Sequence, residues 1–151
     1  MTSTTDGDPW EARLRRLEDL AEIHQLFVDY GAHLDAGDTA AYAALFTPDG
    51  ELSLGPVGRA TGREEIAATI GAAIDGLVGR SFHIISSPRV SLDGDRATAT
   101  VMWTVIHADA GGGPVVTMIG SHHDTLVRTA EGWRFAKRSG RISLPRSYPG
   151  S

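Results

Sequence analysis

The 151-residue chain contains no cysteine. That one absence excludes disulfides, thiolate nucleophiles and Cys-based zinc sites together, and it fits a cytoplasmic protein. Long hydrophobic runs are missing too. The most apolar stretches are interrupted by Gly, Ser, Asp or Arg within about ten residues, half of what a membrane-spanning helix needs. The opening segment MTSTTDGDPW has no basic region followed by an apolar run, so no secretory leader is read there. Basic charge is scarce: 14 Lys and Arg face 19 Asp and Glu, for a net charge of −5. The densest basic patch, RFAKRSGR at 134–141, is broken by Phe, Ala, Ser and Gly. A nucleic-acid partner calls for a basic face, and none is expected here. There is no Gly-x-Ser-x-Gly elbow, and AGGGP at 110–114 precedes a strand pattern rather than a helix. It therefore reads as a hairpin turn and not as a phosphate cradle.

What is present is enough apolar material, 41% of residues, for one globular core. The expected organisation is a flexible N-terminus over 1–9, a single domain over 10–144 and a tail over 145–151. A first helix opens at GDPWEARL, where Asp8 can cap, Pro9 suits the first helical position and Glu11 completes a capping box. Leu17, Leu20, Ile23, Phe27, Tyr30 and Leu34 then recur at steps of three and four, and Gly37 marks the stop. Asp38 or Thr39 can cap a second helix over TAAYAALF, and TPDG at 47–50 predicts a turn before a short strand, ELSL. A third helix is expected over 61–77, capped by Thr61 and carrying Ile66, Ile70 and Ile74 on one side. From Arg80 the period falls to two. Strand patterns at 80–92, 96–108, 114–129 and 133–144 are separated by DGD, AGGG and AEG turns. Helices followed by a run of strands define an α+β domain with one strongly curved sheet wrapped by helices.

Alternation also aims the polar side chains. Ala97, Ala99, Val101, Trp103, Val105 and His107 share one face of their strand. His107 is thus either part of an apolar cavity or a rim histidine satisfied by water. His83 alternates with Ser81 and Ile85, opposite Phe82 and Ile84, and the strand itself does not reveal which face is core. His122 and His123 are adjacent in a strand and point to opposite faces, so they do not chelate one ion together without a bulge. Asp35, His83 and His107 could compose a facial triad for iron, but the expected cofactor and metal content is none. The segment VDYGAHLDAGD brings Tyr30 and Asp35 to the end of a helix that buries Phe27 and Leu34. Those two polar groups are either a routine helix end or one wall of a reactive pocket.

The segments LAEIHQLFVDYGAHLDAGDTAAYAALFTPDGEL, SFHIISS, MWTVIHA, MIGSHHDTLVR and GWRFAKRSGRI resemble the SnoaL-like group of the nuclear transport factor 2-like superfamily over about residues 10–144. The resemblance implies a cone-shaped α+β barrel: a mixed, mostly antiparallel sheet with three helices around a deep pocket. Within the group the chain is most similar to scytalone dehydratases and bile acid 7α-dehydratases, which use an Asp–His pair. That likeness implies catalytic roles for Asp35 and His83. It adds His107, matching a second histidine of the former enzymes and an aspartate of the latter, and Tyr30 and Arg141, matching a tyrosine and an arginine of the latter. Leu34 stands where scytalone dehydratases carry a tyrosine, and other pocket tyrosines fall near Ser53 and Leu54, so a different substrate is expected.

Dehydration needs a base for a C–H proton and assistance to a leaving hydroxide. Histidine suits the first role, with a carboxylate to orient its ring. The expected function is a cofactor-independent dehydratase acting on a cyclic polyketide, phenolic or steroid-like molecule. His83 would be the base, Asp35 its orienting partner, and His107 and Tyr30 groups that bind an enolate oxygen or protonate the departing hydroxyl. Arg141 would hold an anionic group or lie at the surface, and Phe27, Trp103 and Val105 would line an apolar pocket. The alternatives are a polyketide cyclase or ketosteroid-type isomerase with the same base, and a noncatalytic binding module. The expected partner is a small hydrophobic or aromatic substrate, with no membrane. The sheet's outer face (Thr98, Met102, Ile106) is available for packing of copies, and the resembling enzymes imply a trimer or dimer.

Overall fold

A computed structural model describes residues 8–146; the expectations for the first seven and last five residues lie outside the described range. Three helices, α1 (Pro9–Ala36), α2 (Thr39–Ala44) and α3 (Arg63–Ala73), accompany six strands. These are β1 (Phe46–Ser53), β2 (Arg59–Thr61), β3 (Ser81–Asp93), β4 (Arg96–Ala108), β5 (Pro114–Thr129) and β6 (Gly132–Leu144), with a 3-10 turn at Gly55–Val57. The sheet order is β2-β1-β6-β5-β4-β3. Neighbours are antiparallel except β1 and β6, which run parallel because the chain leaves β1 and returns only after the long meander β3 to β6. The architecture is α+β, and β2 and β3 are its free edges: a curved open sheet rather than a closed barrel.

Local chemistry explains the elements. The Asp8 carboxylate accepts the Trp10 N–H at 3.0 Å, with Pro9 in the first turn, so α1 starts where its capping signal lies. It stops at Gly37, whose φ of 72° suits a residue without Cβ; Asp38 then caps α2 through the Ala41 N–H at 2.9 Å. Two boundary expectations are corrected. The cap of α3 is Gly62, not Thr61; Thr61 ends β2, and its N–H donates to Glu65 at 2.9 Å. TPDG is no free turn but a bulge inside β1, where the register against β6 slips between Phe46 and Glu51. Further slips at Ser86/Arg89, Val105/Ile106 and Thr125/Leu126, the first beside Ser87 at φ 52°, bend the sheet into its concave form.

The core fills that concavity. Ile23, Leu26, Phe27, Tyr30 and Leu34 of α1 pack with Tyr42, Phe46, Ile66, Ile70, Trp133 and Phe135. At about 1.5–3 kcal/mol for each large apolar side chain, this burial is the main force holding α1 on the sheet. The apolar stripe expected from Leu17 begins later than its spacing suggests: Leu17 is 63% exposed and Asp19, two residues on, is buried instead. Where α1 crosses β3 the contact is close at Gly31, whose Cβ, if it had one, would sit 3.0 Å from Ile85 Cγ1. This approach lets the last turn of α1 reach His83.

A candidate active site at the end of helix α1

Asp35 lies in the last turn of α1, where the helix dipole disfavours an acid by a few tenths to about 1 kcal/mol. The sheet compensates. His83 Nδ1 is 2.7 Å from Asp35 Oδ1, and the His83 main-chain N–H donates to both carboxylate oxygens at 3.1 and 3.2 Å. Since an ionised carboxylate only accepts, it holds the ring proton on Nδ1 and leaves the lone pair on Nε2. That second nitrogen has no hydrogen-bond partner among the described residues, and His83 lines a mainly apolar cavity of about 450 Å³.

Strand pairing arranges the rest. His107 faces Ser81 across the β3–β4 ladder, one inward step from the His83–Val105 pair, and it lines the same cavity with Trp103 and Val105. The Tyr30 hydroxyl is 2.9 Å from His122 Nε2, and the Tyr30 ring meets those of His83 and His122 edge-on, at 6.3 and 5.2 Å between centroids. His122 carries no weight in the sequence reading beyond an unpromising metal motif, yet it is a buried member of this wall. Two glycines make room for it and for Trp103. A Cβ at Gly140 would lie 3.1 Å from His122 Nδ1, and one at Gly120 would run into the Trp103 indole. His123, as alternation predicts, points outward and is exposed.

Beneath the wall, Arg138 and Asp124 form a fully buried bidentate pair at 2.8 Å per bond. Burial works against the Arg138 charge, but the Asp124 carboxylate outweighs it and keeps the guanidinium protonated. Arg138 stacks 4.0 Å from the Phe135 ring centroid and 4.4 Å from that of Tyr30. Burial, reinforced by this positive charge, drives the His122 pKa well below that of an ordinary imidazole, so the ring is neutral. Burial raises Tyr30 strongly and pushes Tyr42 up to about 12, with Arg138 opposing in both cases. Both phenols therefore keep their protons at any ordinary pH. The arrangement can take a proton at His83 and offer neutral hydrogen-bond donors nearby, within a largely apolar lining.

Of the residues singled out in the sequence, Asp35, His83, Tyr30, His107, Trp103 and Val105 meet here. Arg141 borders the cavity, but it is exposed and pairs with Ser121 on the outer face of the sheet that carries His123. Phe27 does not: it lies in the core against Phe135 and Arg138, one helical turn behind the Tyr30 wall. Among the described residues no group of three His, Asp or Glu is spaced to hold a metal ion, and Asp35, His83 and His107 do not form one. No described helix is long and apolar enough to cross a membrane.

An open curved sheet with three helices enclosing such a cavity is the cone fold of nuclear transport factor 2-like proteins. More narrowly, the chain belongs to the SnoaL-like domain family, whose model matches residues 15–139. A nuclear transport factor 2-like protein of Novosphingobium aromaticivorans superimposes with a TM-score of 0.86 at 32% identity, covering 98% of this chain and 96% of that one. An uncharacterized protein of Mycobacterium tuberculosis is 29% identical over 123 residues, 81% of this chain and 84% of the relative. A second Novosphingobium aromaticivorans structure, provisionally assigned as a scytalone dehydratase, matches at 25% identity and a TM-score of 0.71 over 85% of this chain and 87% of that one. The family includes polyketide cyclases and dehydratases.

Proposed function

We propose that the chain is a cofactor-independent hydro-lyase that removes water from a cyclic β-hydroxy carbonyl compound of polyketide, phenolic or steroid-like character. The observation that carries this reading is the 2.7 Å contact between His83 Nδ1 and Asp35, with Nε2 left free in a cavity. Likeness to the protein assigned as a scytalone dehydratase supports it. In the reaction, His83 Nε2 takes the proton from the carbon next to the carbonyl, and the C–H electron pair becomes an enolate. Tyr30 is too weak an acid to give up its proton, and so acts as a neutral hydrogen-bond donor to the enolate oxygen. It is free to do so when His122 Nε2–H donates to its oxygen; His107 is placed to add a second bond. The enolate then re-forms the carbonyl, the new C=C bond closes and the β C–O bond breaks. The leaving hydroxide takes the proton back from the His83 imidazolium, which Asp35 has stabilised meanwhile. Substrate loses one water, and the protein ends as it began.

The test is turnover of β-hydroxy ketones, tetralone-like polyketides and hydroxysteroids followed by mass spectrometry beside His83→Ala. Loss of water that falls by roughly 10²–10⁴-fold in the variant is expected. A mass-neutral product lost in the same variant would make the protein a cyclase or isomerase. Binding without turnover, unaffected by the substitution, would make it a binding module.

A further inference from the structure

The apolar residues of α1 that the core leaves out are not scattered. Trp10, Leu14, Leu17 and Val28 are 58–69% exposed, and with Ala21 and His24, also exposed, they recur at alternating steps of four and three. At about 100° per residue, this stripe is centred roughly 150° from the side that buries Asp19, Ile23, Leu26, Phe27 and Tyr30. It therefore faces away from the sheet, and it ends where α1 meets β3 at Gly31. A strict alternation of three and four is the narrow seam of a coiled coil, whereas a helix laid on a globular core or a lipid surface shows a wider apolar face. The flanks of the seam carry opposite charges. Glu11 and Glu18 lie on one side and Arg13 on the other, its guanidinium 4.7 Å from the Trp10 ring centroid. None of the three forms an ion pair among the described residues.

We propose that the chain self-associates through this seam, with α1 parallel to and in register with α1 of a second copy about a two-fold axis. Like layers then meet like at Leu14, Leu17 and Ala21, and Arg13 reaches the partner's Glu18; the axis repeats that pair. An antiparallel pairing would instead set the two acidic flanks against each other. The same acidic flank, on a chain of net charge −5, disfavours an anionic lipid surface as the occupant. Because the sheet lies behind each helix, the two bodies stand on opposite sides of the pair. The interface is separate from the outer sheet face around Met102 and Ile106, and it does not depend on the dehydratase reading. With about three heptads and a small layer at Ala21, the seam is short, so a Kd on the order of 10 µM is expected.

Sedimentation of the full chain between about 1 and 300 µM tests the proposal, with a monomer–dimer equilibrium as the expected result. Leu14→Glu with Leu17→Glu should leave the chain monomeric throughout while its melting temperature persists, since both side chains are exposed in the single copy. Arg13→Glu and Glu18→Arg should each weaken association roughly three- to ten-fold, and the two together should restore it. The chain has no cysteine, so Ala21→Cys gives a clean probe: mild oxidation should join two copies through that position, whereas Met102→Cys should stay free. A monomer at every concentration, or a dimer that survives the double leucine substitution, would overturn the proposal. So would cross-linking through Met102→Cys but not Ala21→Cys, which would place the interface on the sheet. Binding of the monomer to vesicles of anionic lipid, lost in the leucine variant, would assign the seam to a membrane surface instead.

Discussion

Among the carboxylates that helix α1 sends to the sheet, Asp19 from its N-terminal half and Asp35 from its last turn have partners that make them opposites. Asp19 receives Arg128 at 2.6 and 2.7 Å and the Trp133 indole N–H at 3.0 Å; Arg128 in turn binds Asp95 at 2.9 Å. The Arg128 hydrogen bond dominates burial and lowers the Asp19 pKa. Asp19 and Arg128 thus hold each other in their charged forms, so the pair clamps the helix and has no proton to trade. Asp35 meets an imidazole instead, which spends one nitrogen on the carboxylate and keeps the other on the cavity. A carboxylate held against the sheet is thus a clamp or a device according to whether its partner can change protonation and has an atom to spare.

The largest expected effect separates the two. Asp35→Asn should lower kcat/KM for dehydration by roughly 10²–10⁴-fold, because an amide can hold the ring in the wrong tautomer and cannot stabilise the imidazolium. Its melting temperature should change little. Asp19→Ala should do the reverse, destabilising the fold by about 1–3 kcal/mol while turnover of the remaining folded protein is unchanged. Parallel denaturant melts and initial rates measure both. Loss of activity in Asp19→Ala at a temperature where it is fully folded would erase the distinction.

A second, smaller effect concerns the wall opposite His83. Tyr30→Phe removes one neutral donor and should cost roughly 10²-fold in kcat with little change in KM, since the bond strengthens only as the enolate forms. A rise in KM alone would mean that Tyr30 merely packs against the substrate.

How far these features could be read from the chain differs by element. The start and stop of α1 and the limits of β4 and β5 follow from capping residues and alternation, because local chemistry sets them. Placing Thr61 as the cap of α3 fails by one residue, since β1 takes Thr61 into the sheet. Asp35 and His83, 48 positions apart, are brought together by the Gly31–Ile85 crossing, which no periodicity encodes; the family likeness is what pairs them as a dyad. Phe27 shares a helical stripe with Tyr30, but one turn of rise moves it from the cavity wall into the core. His122 has no role in the sequence reading, because its neighbour His123 presents the pair as a metal motif. Alternation did place it with Gly120 and Asp124, and the burial of that face depends on Arg138, 14 residues farther on. A glycine directly across the ladder, Gly140, was the available signal that a bulky inward side chain needed room.

The subtlest expected effect uses pH to tell clamp from wall within one protein. Asp19 has a folded pKa below its unfolded value near 3.8, so its contribution is fully present above that value and is lost as pH falls through the folded pKa. His122 is neutral when buried and takes a proton near 6.5 when unfolded, so unfolding consumes a proton below that pH. Stability should therefore begin to fall near pH 6.5, with a slope of up to about 1.4 kcal/mol per pH unit from this one group, well before Asp19 is affected. Denaturant melts across pH 3–8 would resolve the two windows. His122→Gln should flatten the curve from about pH 6.5 downward, whereas Asp19→Asn should flatten only the limb below about pH 3.8. An unchanged slope in His122→Gln would mean that the ring is protonated in the fold, and the wall behind Tyr30 would then carry a cation rather than a neutral imidazole.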